Sequence, residues 1–290
     1  MFPSNLMATH IGQRGSKLSP RLWARLIDQM LTADGTDPGL MLYDDFESFP
    51  NLSVTTVAGQ LQPPNGYFAY IEDDATVGRI RQRPTLPSAI QLLTSTDAAD
   101  GDNHDTVLGT NGNAGVLGVI SDTPADAKML ICEFRFRMNS VANTTGSTFL
   151  GLGEEGLGAA NTPIADDTGH KISSDDLIGF FIGEDDGDAL RFVYRKNGGA
   201  IQTVLTYGTA LAANVWYNAG FIYDPQAPLS KRIKIFIDNI EQSTFITGDQ
   251  IAAATFPDGE RLAMYAAIKG SANAAAQHFD LDLWAFYQAG

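Results

Sequence analysis

Pairs of carboxylates are the residues with the clearest catalytic potential in this sequence. Hydrolysis of a glycosidic bond needs two carboxyl groups flanking that bond, about 5–5.5 Å apart in retaining enzymes. The chain offers two such pairs, Glu154–Glu155 and Asp280/Asp282. The first precedes a glycine-rich stretch typical of a loop, and the second lies in the last predicted strand. We predict that Asp280 and Asp282 face solvent or anchor a loop, with catalysis as the less favoured alternative.

Other kinds of catalytic residue are not indicated. A serine nucleophile would need an elbow such as G-x-S-x-G, and the sequence does not contain this pattern. The histidines are His10, His104, His170 and His278. None of them has the spacing of a metal site or of a nucleophile and its base. We therefore expect a non-enzymatic protein without catalytic, cofactor-binding or metal-ligating residues.

Two acidic loops are the only candidates for a bound cation. Calcium takes about six to eight oxygen ligands, many of them from carboxylates. One loop spans 183–188, and the other, at 97–105, has the candidate ligands Asp97, Asp100, Asp102 and Asp105. Neither loop follows the EF-hand pattern, and aspartates are common in turns. We expect no cofactor, and calcium at 97–105 is the weaker alternative.

Aromatic side chains exposed on a concave face or loop would be the signal for a sugar-binding site. The candidates are Tyr67, Tyr70, Trp216, Tyr217 and Trp284. All of them lie within apolar strand patterns, where core packing is the default interpretation. The sequence therefore does not assign a sugar site.

Charge and cysteine content exclude several classes of protein. The 290 residues include 19 Lys and Arg against 34 Asp and Glu, a net charge of −15 that argues against a nucleic-acid partner. Cys132 is the one cysteine, so no disulfide can form within the chain, and we interpret it as a buried thiol. The start of the chain shows no secretory signal, and no run of about 18 apolar residues predicts membrane insertion.

Residues 1–40 form a predicted N-terminal arm ahead of a sandwich domain at 41–290. Ser19-Pro20 supplies a helix N-cap and a first-turn proline, which predicts an amphipathic helix over about 20–31. Its apolar stripe consists of Leu22, Trp23, Leu26, Ile27 and Met30. We predict that this stripe is an assembly anchor that docks on another subunit, and that the chain forms a homo-oligomer. The alternative, which the sequence leaves open, is a helix that packs back on its own sandwich.

From residue 40 onward the hydrophobic period changes from 3.6 to 2. The clearest strand is 130–138, where apolar even positions alternate with the charged Glu133, Arg135 and Arg137. Further strands are predicted at 41–47, 67–72, 115–120, 147–152, 177–182, 189–195, 201–207, 215–223, 232–238, 262–268 and 279–287. About a dozen strands with almost no helix predict an all-β, antiparallel two-sheet jelly-roll sandwich.

Two local predictions accompany this assignment. In 279–287 the odd positions, among them Leu283, Ala285 and Tyr287, are assigned to one face, and Trp284 and Phe286 to the other, with both faces buried. The stretch 84–128 is the least regular, and we expect long loops there, notably at 94–113.

Four segments resemble the concanavalin A-like lectin/glucanase superfamily, including the laminin-G-like modules of phage structural proteins. They are 41–47, 133–138, 215–239 with its Asp-Asn turn, and 279–287. The resemblance implies one jelly roll over about 41–288. Glycoside hydrolases of this superfamily carry an E-x-D-x-x-E or E-x-D-x-E motif, which is absent here. The resemblance therefore implies a fold and not an activity.

Together these features predict a non-enzymatic virion structural protein, a bacteriophage capsid decoration or other particle-surface protein anchored by its arm. The expected partners are virion proteins such as the capsid protein, further copies of the chain, and a host-surface glycan as an additional candidate. The expected location is the virion, after synthesis in the host cytoplasm. The alternative is a carbohydrate-binding module or adhesin associated with a tail or fibre, and a polysaccharide-cleaving enzyme ranks third.

Overall fold

The structure is a computed structural model, and it describes most of the chain. The described residues are 17–24, 39–47, 52–53, 59–61, 68–71, 79–83, 85–94, 105–110, 118–123, 127–142, 146–155, 157, 162–165, 172–184, 189–270 and 277–290. None of the helices in these ranges is long and apolar enough to cross a membrane.

Strands dominate the described residues. They are β1 Leu40–Asp44, β2 Leu52–Ser53, β3 Gly59–Leu61, β4 Phe68–Ile71, β5 Arg79–Arg83, β6 Leu86–Leu93, β7 Asp105–Gly109, β8 Gly118–Val119, β9 Leu130–Met138, β10 Ser147–Glu154, β11 Leu177–Ile182, β12 Arg191–Arg195, β13 Gln202–Thr206, β14 Tyr217–Tyr223, β15 Ile233–Ile237, β16 Ile240–Ile246, β17 Arg261–Lys269 and β18 His278–Gln288. Helical residues occur at 20–24, in a short 3-10 helix Leu229–Lys231, and in an α-helix Gly248–Ile251. The last of these has a capping box between Thr247 and Gln250.

The strands form two antiparallel sheets, which confirms the predicted all-β two-sheet class. Sheet A has the order β16-β15-β14-β9-β18-β6-β5-β2, and β1 pairs with β18 beyond the end of β6. Sheet B has the order β13-β12-β11-β10-β17-β7-β4-β3, with β8 also pairing with β17. The predicted hairpin is present, because β12 pairs with β13 across a turn where Gly198 has φ +71.

The main core lies between the inner faces of the two sheets. Phe134 and Phe136 of β9 point into it together with Phe221 of β14, and Phe180 and Phe192 reach it from sheet B. The phenyl rings of Phe192 and Phe221 meet edge to face across the sheets, with their centroids 5.3 Å apart.

The cysteine is part of this core. Cys132 is a free thiol on the inner face of β9 and is fully buried. Burial raises its pKa well above the ordinary value, with a further contribution from Glu133. A thiol held protonated in this way is a packing residue, as the sequence predicted.

The last strand corrects one face assignment. Phe279 and Leu281 point into the main core, but Trp284 and Phe286, which were assigned to the opposite face, join them there. Leu283, Ala285 and Tyr287, which were assigned to the same face as Phe279, point outward. The cause is a β-bulge, since the pairing of β18 with β9 shifts register between Leu281 and Leu283. The prediction that both faces of this strand are buried is confirmed.

The stretch predicted to hold long loops also needs correction. It contains β6, and the predicted loop 94–113 contains β7. The pattern of β6 was obscured by Pro87, which lies where the pairing with β5 is irregular.

Each sheet also buries part of its outer face. On sheet B the cover includes Leu157, Ile164 and Ile172. On sheet A it consists of residues 17–24, which we call the strap. The predicted division into an arm at 1–40 and a sandwich at 41–290 stays a prediction, but the strap is packed directly on the sandwich.

Candidate functional site

The outward face of sheet A carries a concentration of charged side chains. Outward positions of adjacent strands supply them, since even positions of β9 and odd positions of the first half of β18 face the core. The charged or polar outward residues include Arg81 and Arg83 of β5, Gln91 of β6, Arg135 and Arg137 of β9, and Asp280 and Asp282 of β18. We call Arg81, Arg83, Arg135 and Arg137 the arginine cluster.

Asp280 is bound by two arginines and one amide. Arg137 donates from Nε and Nη2 to Asp280 Oδ2 over 3.0 and 2.7 Å, and Arg83 forms an ion pair with the same oxygen. Gln91 Nε2 donates to Asp280 Oδ1 over 3.3 Å. The Asp280 side chain is 2% exposed. The carboxylate that we predicted to face solvent or to anchor a loop is therefore buried under guanidinium groups.

Asp282 is bound by a second pair of cations. Arg135 forms an ion pair with Asp282 Oδ2, and Lys17 Nζ of the strap lies 3.7 Å from the same oxygen. Lys17 Nζ also donates to the carbonyl oxygens of Asp282 and Ser88, over 2.8 and 3.0 Å. Burial raises the pKa of Asp282, and Arg135 and Lys17 act against that rise.

The two ends of this face differ in electrostatic potential. The pKa of His278 is lowered from 6.5 to about 4. Burial is the main cause, and the positive charges of Arg83, Arg81 and Arg137 add to it. The pKa of Tyr43 is raised from 10.0 to about 12. Burial is the main cause, and the negative charges of four neighbouring carboxylates add to it, those of Asp45, Asp282, Glu47 and Asp44. The face is therefore cationic at the His278 end and anionic at the Tyr43 end.

A buried glutamate ties the strap to the sheet. Glu133 is fully buried on the outward face of β9 and accepts hydrogen bonds from the backbone N–H of Ser19 at 3.0 and 3.1 Å. Trp23 Nε1 donates to it over 2.6 Å and Asn218 Nδ2 over 3.0 Å. Burial raises the pKa of Glu133 and these hydrogen bonds lower it in part, leaving a net rise.

The strap also packs by apolar contact. Leu18, Leu22 and Trp23 cover outward residues of sheet A, including Ile131 and Leu283. Gly220 lies directly beneath Leu22, where a Cβ would clash with the leucine side chain. The strand β14 therefore leaves a recess at this point.

This packing bears on the predicted assembly anchor. Leu22 and Trp23 pack against sheet A of the same chain. For these two residues, the structure agrees with the alternative of a helix that packs back on its own sandwich. Leu26, Ile27 and Met30 lie outside the described residues. Docking of the stripe on another subunit stays a prediction that now rests on those three residues.

A surface cleft of about 450 Å³ opens between the strap and the arginine cluster. Its lining residues are Lys17, Leu18, Ser19, Pro20, Arg135, Asn218, Asp238 and Asn239. Asp238 and Asn239 form the β15–β16 turn with φ values of 48 and 62, as in type I′ hairpin turns. The Asp238 carboxylate accepts the backbone N–H of Asn218 at 2.9 Å, and Asn239 Oδ1 accepts the N–H of Arg21 at 2.8 Å.

Trp216 adjoins this cleft through Arg135. The guanidinium carbons of Arg135 and Arg137 both lie 4.8 Å from the centroid of its indole ring, at cation–π distance. The indole is half-buried, in contrast to the enclosed rings of Tyr217 and Trp284. Core packing is therefore confirmed for the last two, and Trp216 is the aromatic candidate that lies at a surface site.

The remaining predicted site residues are spread over the chain. Asp97, Asp100 and Asp102 lie outside the described residues, as do Tyr67, His10, His104 and His170. Asp105 is the first residue of β7, and Tyr70 lies in β4. Within the described ranges no group of three or more His, Cys, Asp or Glu side chains could hold a metal ion. Calcium at the first acidic loop stays a prediction.

A second carboxylate group lies at the end of β10 in sheet B. Glu154 Oε2 accepts the backbone N–H of Asp176 at 3.2 Å, and Asp176 Oδ1 accepts the N–H of Asn197 at 2.9 Å. Burial and then the carboxylates of Asp175 and Asp176 raise the pKa of Glu154. These bonds join the turn after β12 to the segment before β11, so the group acts as a loop anchor.

Comparison with known proteins identifies the architecture. No family model and no curated protein matches the chain. Among solved structures, the Emp47p carbohydrate recognition domain matches at TM-score 0.50 and 13% identity, over 88% of this chain and 98% of that one. The potassium-bound Emp46p domain of the same kind matches at TM-score 0.50 and 11% identity, over 85% and 98%. The chain has the concanavalin A-like jelly-roll fold.

Looser matches to this jelly roll include a Bacillus licheniformis β-glucanase, at TM-score 0.47 and 14% identity over 86% of this chain and 98% of that one. At such identities the likeness concerns the fold alone.

The sequence analysis found two of the strands that form this face, β9 and β18, but not the contacts between them. It named Asp280, Asp282, Arg135 and Arg137 without pairing them, and it missed Arg83 and Lys17. The signal that could have found Arg83 is the run Arg79-Ile-Arg-Gln-Arg83, which alternates cations with other residues.

Proposed function

We propose that this jelly roll is a non-enzymatic carbohydrate-binding module whose ligand lies in the cleft beside Trp216. The observation that carries the proposal is the set of polar groups that line the cleft, including Arg135, Asn218, Asp238 and Asn239. Sugar hydroxyls both donate and accept hydrogen bonds, so they suit a mixture of amide, carboxylate and guanidinium groups. A half-buried indole offers a flat apolar surface for the C–H face of a sugar ring.

Some of this hydrogen-bonding capacity is unused. Asn239 uses Oδ1 for the strap, while its Nδ2 forms no hydrogen bond within the described residues. Asp238 likewise uses Oδ1 for the backbone N–H of Asn218. A ligand in the cleft would therefore meet a donor and an acceptor that the two turn residues hold in place.

The state of the last-strand carboxylates supports a binding role over a hydrolytic one. Asp280 and Asp282 are nearly fully buried and bound by cations on the side that faces solvent. A glycosidase acid or nucleophile must reach the scissile bond, and these carboxylates are covered by the arginines that neutralise them. The Emp47p and Emp46p domains, which share this fold, are carbohydrate recognition domains, and this supports a binding role.

The test is a glycan array probed with the full chain, followed by titration of the best ligand with a Trp216→Ala variant. We expect the variant to weaken binding by about two- to tenfold, because ring stacking contributes about 0.5–1.5 kcal/mol. The matched control is Phe245→Ala, which removes another half-buried ring that stacks with a cation, Lys231 at 4.3 Å, away from the cleft.

The outcomes separate the alternatives. Binding that survives Trp216→Ala unchanged would place the ligand elsewhere on the protein. Release of reducing ends from a bound polysaccharide, abolished by Asp282→Asn or Glu154→Gln, would replace the binding module by the enzyme that the sequence ranked third. An array without any bound glycan would refute the proposal.

The second part of the proposal concerns the N-terminal arm and a role in a virion. We propose that the arm outside the strap attaches the module to a bacteriophage particle through the capsid protein or further copies of the chain. None of the contacts among the described residues bears on this attachment, and its support is the arm-and-sandwich layout of the sequence. Light scattering of the full chain would show whether it forms the expected homo-oligomer, and a monomer would count against it.

A further inference from the structure

We infer that the ligand is an acidic glycan, whose carboxylate or sulfate group binds at the His278 end of the arginine cluster. This inference rests on the proposed carbohydrate-binding function and names the class of ligand for the same face. It is carried by the surplus of cations on the outward face of sheet A in a chain whose net charge is −15.

The surplus is visible in the ion pairs. Three arginines of the cluster, Arg83, Arg135 and Arg137, share two carboxylates, Asp280 and Asp282, with Lys17. The carboxylates are the buried partners, with side chains 2% and 4% exposed, whereas the paired arginines are 16–27% exposed. Solvent and any ligand therefore meet guanidinium groups, and the carboxylates lie beneath them.

Arg79 and Arg81 of β5 have no anionic partner among the residues that the structure describes. Arg81 donates from Nε and Nη2 to Gln91 Oε1, a neutral amide, over 3.0 and 2.7 Å. It forms no ion pair within the described residues. Arg79 Nε is buried and lacks a hydrogen-bond partner in the same part of the structure. An unpaired guanidinium at a partly buried site is a strong recognition group for a carboxylate or sulfate.

The arrangement is also rigid before any ligand arrives. Gln91 holds Arg81 from one side and donates to Asp280 from the other, and Asp280 in turn holds Arg83 and Arg137. A small anion could meet three oriented guanidinium groups without requiring them to reorganise, which lowers the entropic cost of binding.

The polarity of the face sets the position of the anion. At the Tyr43 end the carboxylates of Asp44, Asp45 and Glu47 oppose negative charge, and at the His278 end the neighbouring charges are arginines. A negative substituent is therefore expected beyond Arg137, with the rest of the sugar chain running over Trp216 to the cleft.

A nucleic acid is the less suitable polyanion. Its binding depends on many phosphate contacts over a long surface, and a chain of net charge −15 repels such a polymer. A glycan with isolated negative groups needs favourable charge only at one place on the protein.

The test uses two oligosaccharides that differ only in charge, tetragalacturonate and its fully methyl-esterified form, with sialyllactose and lactose as a second matched pair. The full chain is titrated with each at low and at high salt. We expect at least one acidic member to bind about tenfold more tightly than its neutral partner at low salt. The preference should shrink as salt rises, because the sites are partly exposed.

The variant Arg81→Gln locates the effect without unpairing a carboxylate, so the fold is retained. It should remove most of the preference for the acidic member and leave binding of the neutral one unchanged. Arg261→Gln, at the exposed start of β17, removes the same charge from the other sheet and should change neither.

Each other outcome overturns the inference. Equal or tighter binding of the neutral members would refute the acidic class and leave the proposed carbohydrate-binding function in place. Equal losses from Arg81→Gln and Arg261→Gln would refute the location. Single-stranded DNA that binds as tightly as the acidic glycans, with the same dependence on Arg81, would refute the glycan class. No binding of any glycan, acidic or neutral, on the array would refute the proposed function as well.

Discussion

The outward face of sheet A buries carboxylates in two regions, and the regions satisfy them with different groups. Under the strap, Glu133 accepts hydrogen bonds from neutral donors within apolar surroundings. In the arginine cluster, Asp280 and Asp282 are matched by charged side chains that remain partly exposed.

The difference has a structural consequence. Neutral donors from the strap close over Glu133 and hold a segment of chain in place. Arginines that close over an aspartate bring positive charge to the surface, because each guanidinium has more donors than the carboxylate can use. The first region is therefore built to stabilise the fold, and the second to present charge.

Replacement of one tryptophan in each region, Trp23 of the strap and Trp216 beside the arginine cluster, should separate the two regions most clearly. Trp23→Ala should lower the free energy of unfolding by about 3–5 kcal/mol, because it empties a fully buried site and removes a donor from Glu133. Trp216→Ala should cost about 1 kcal/mol, since that ring is half-buried and stacked on cations. Urea unfolding of both variants measures the difference. Similar losses would show that the strap contributes little to stability.

Loss of the Asp280 charge should have the next largest effect. Asp280→Asn leaves Arg83 and Arg137 beside a neutral amide and should cost about 2–3 kcal/mol, less than a fully enclosed ion pair because the arginines reach solvent. The matched control is Asp258→Asn, whose pair with Lys196 is about one-third exposed on both sides and should contribute below about 1 kcal/mol. If the two variants lose the same free energy of unfolding in urea, the ion pairs of the arginine cluster do not stabilise the fold more than an exposed surface pair does.

The close approach of the strap to β14 can be tested with a single methyl group. Gly220→Ala should lower stability by about 1–3 kcal/mol, because the added Cβ would clash with Leu22 and lie 2.8 Å from the carbonyl oxygen of Cys132. Gly208→Ala is the control, since its Cβ would meet nothing within 4 Å. Thermal unfolding of the two proteins compares them. A neutral result at Gly220 would mean that the strap lifts from the sheet at little cost.

The sequence predicted these regions unequally. The strand β9 was found because its alternation of apolar and charged residues is local. The strand β5 was missed because Ile80 is its one apolar residue facing the core. The carboxylate that binds its Arg83 comes from β18, almost two hundred residues later. The bulge after Leu281 was hidden for the same reason, since the pairing partner and not the strand itself shows the shift. Local patterns predict strands, but they do not predict which side chains meet across a sheet.

The two regions should also respond to pH in opposite directions. The raised pKa of Glu133 means that the folded protein binds a proton which the unfolded chain has already lost, so its contribution to stability falls as pH rises above 4.5. The lowered pKa of His278 means that the unfolded chain binds a proton which the folded protein excludes. Its contribution to stability therefore falls as pH decreases from 6.5 to about 4.

Urea unfolding between pH 4 and pH 8 isolates each group by difference from a variant that does not titrate. The stability of the wild type relative to Glu133→Gln should fall with rising pH, and its stability relative to His278→Gln should fall with decreasing pH. Because these effects are differences between nearly isosteric side chains, they should be the smallest of the series. If both stability differences changed with pH in the same direction, the contrast between the two regions would be wrong. Either Glu133 would not be a desolvated carboxylate, or His278 would not lie in an excess of positive charge.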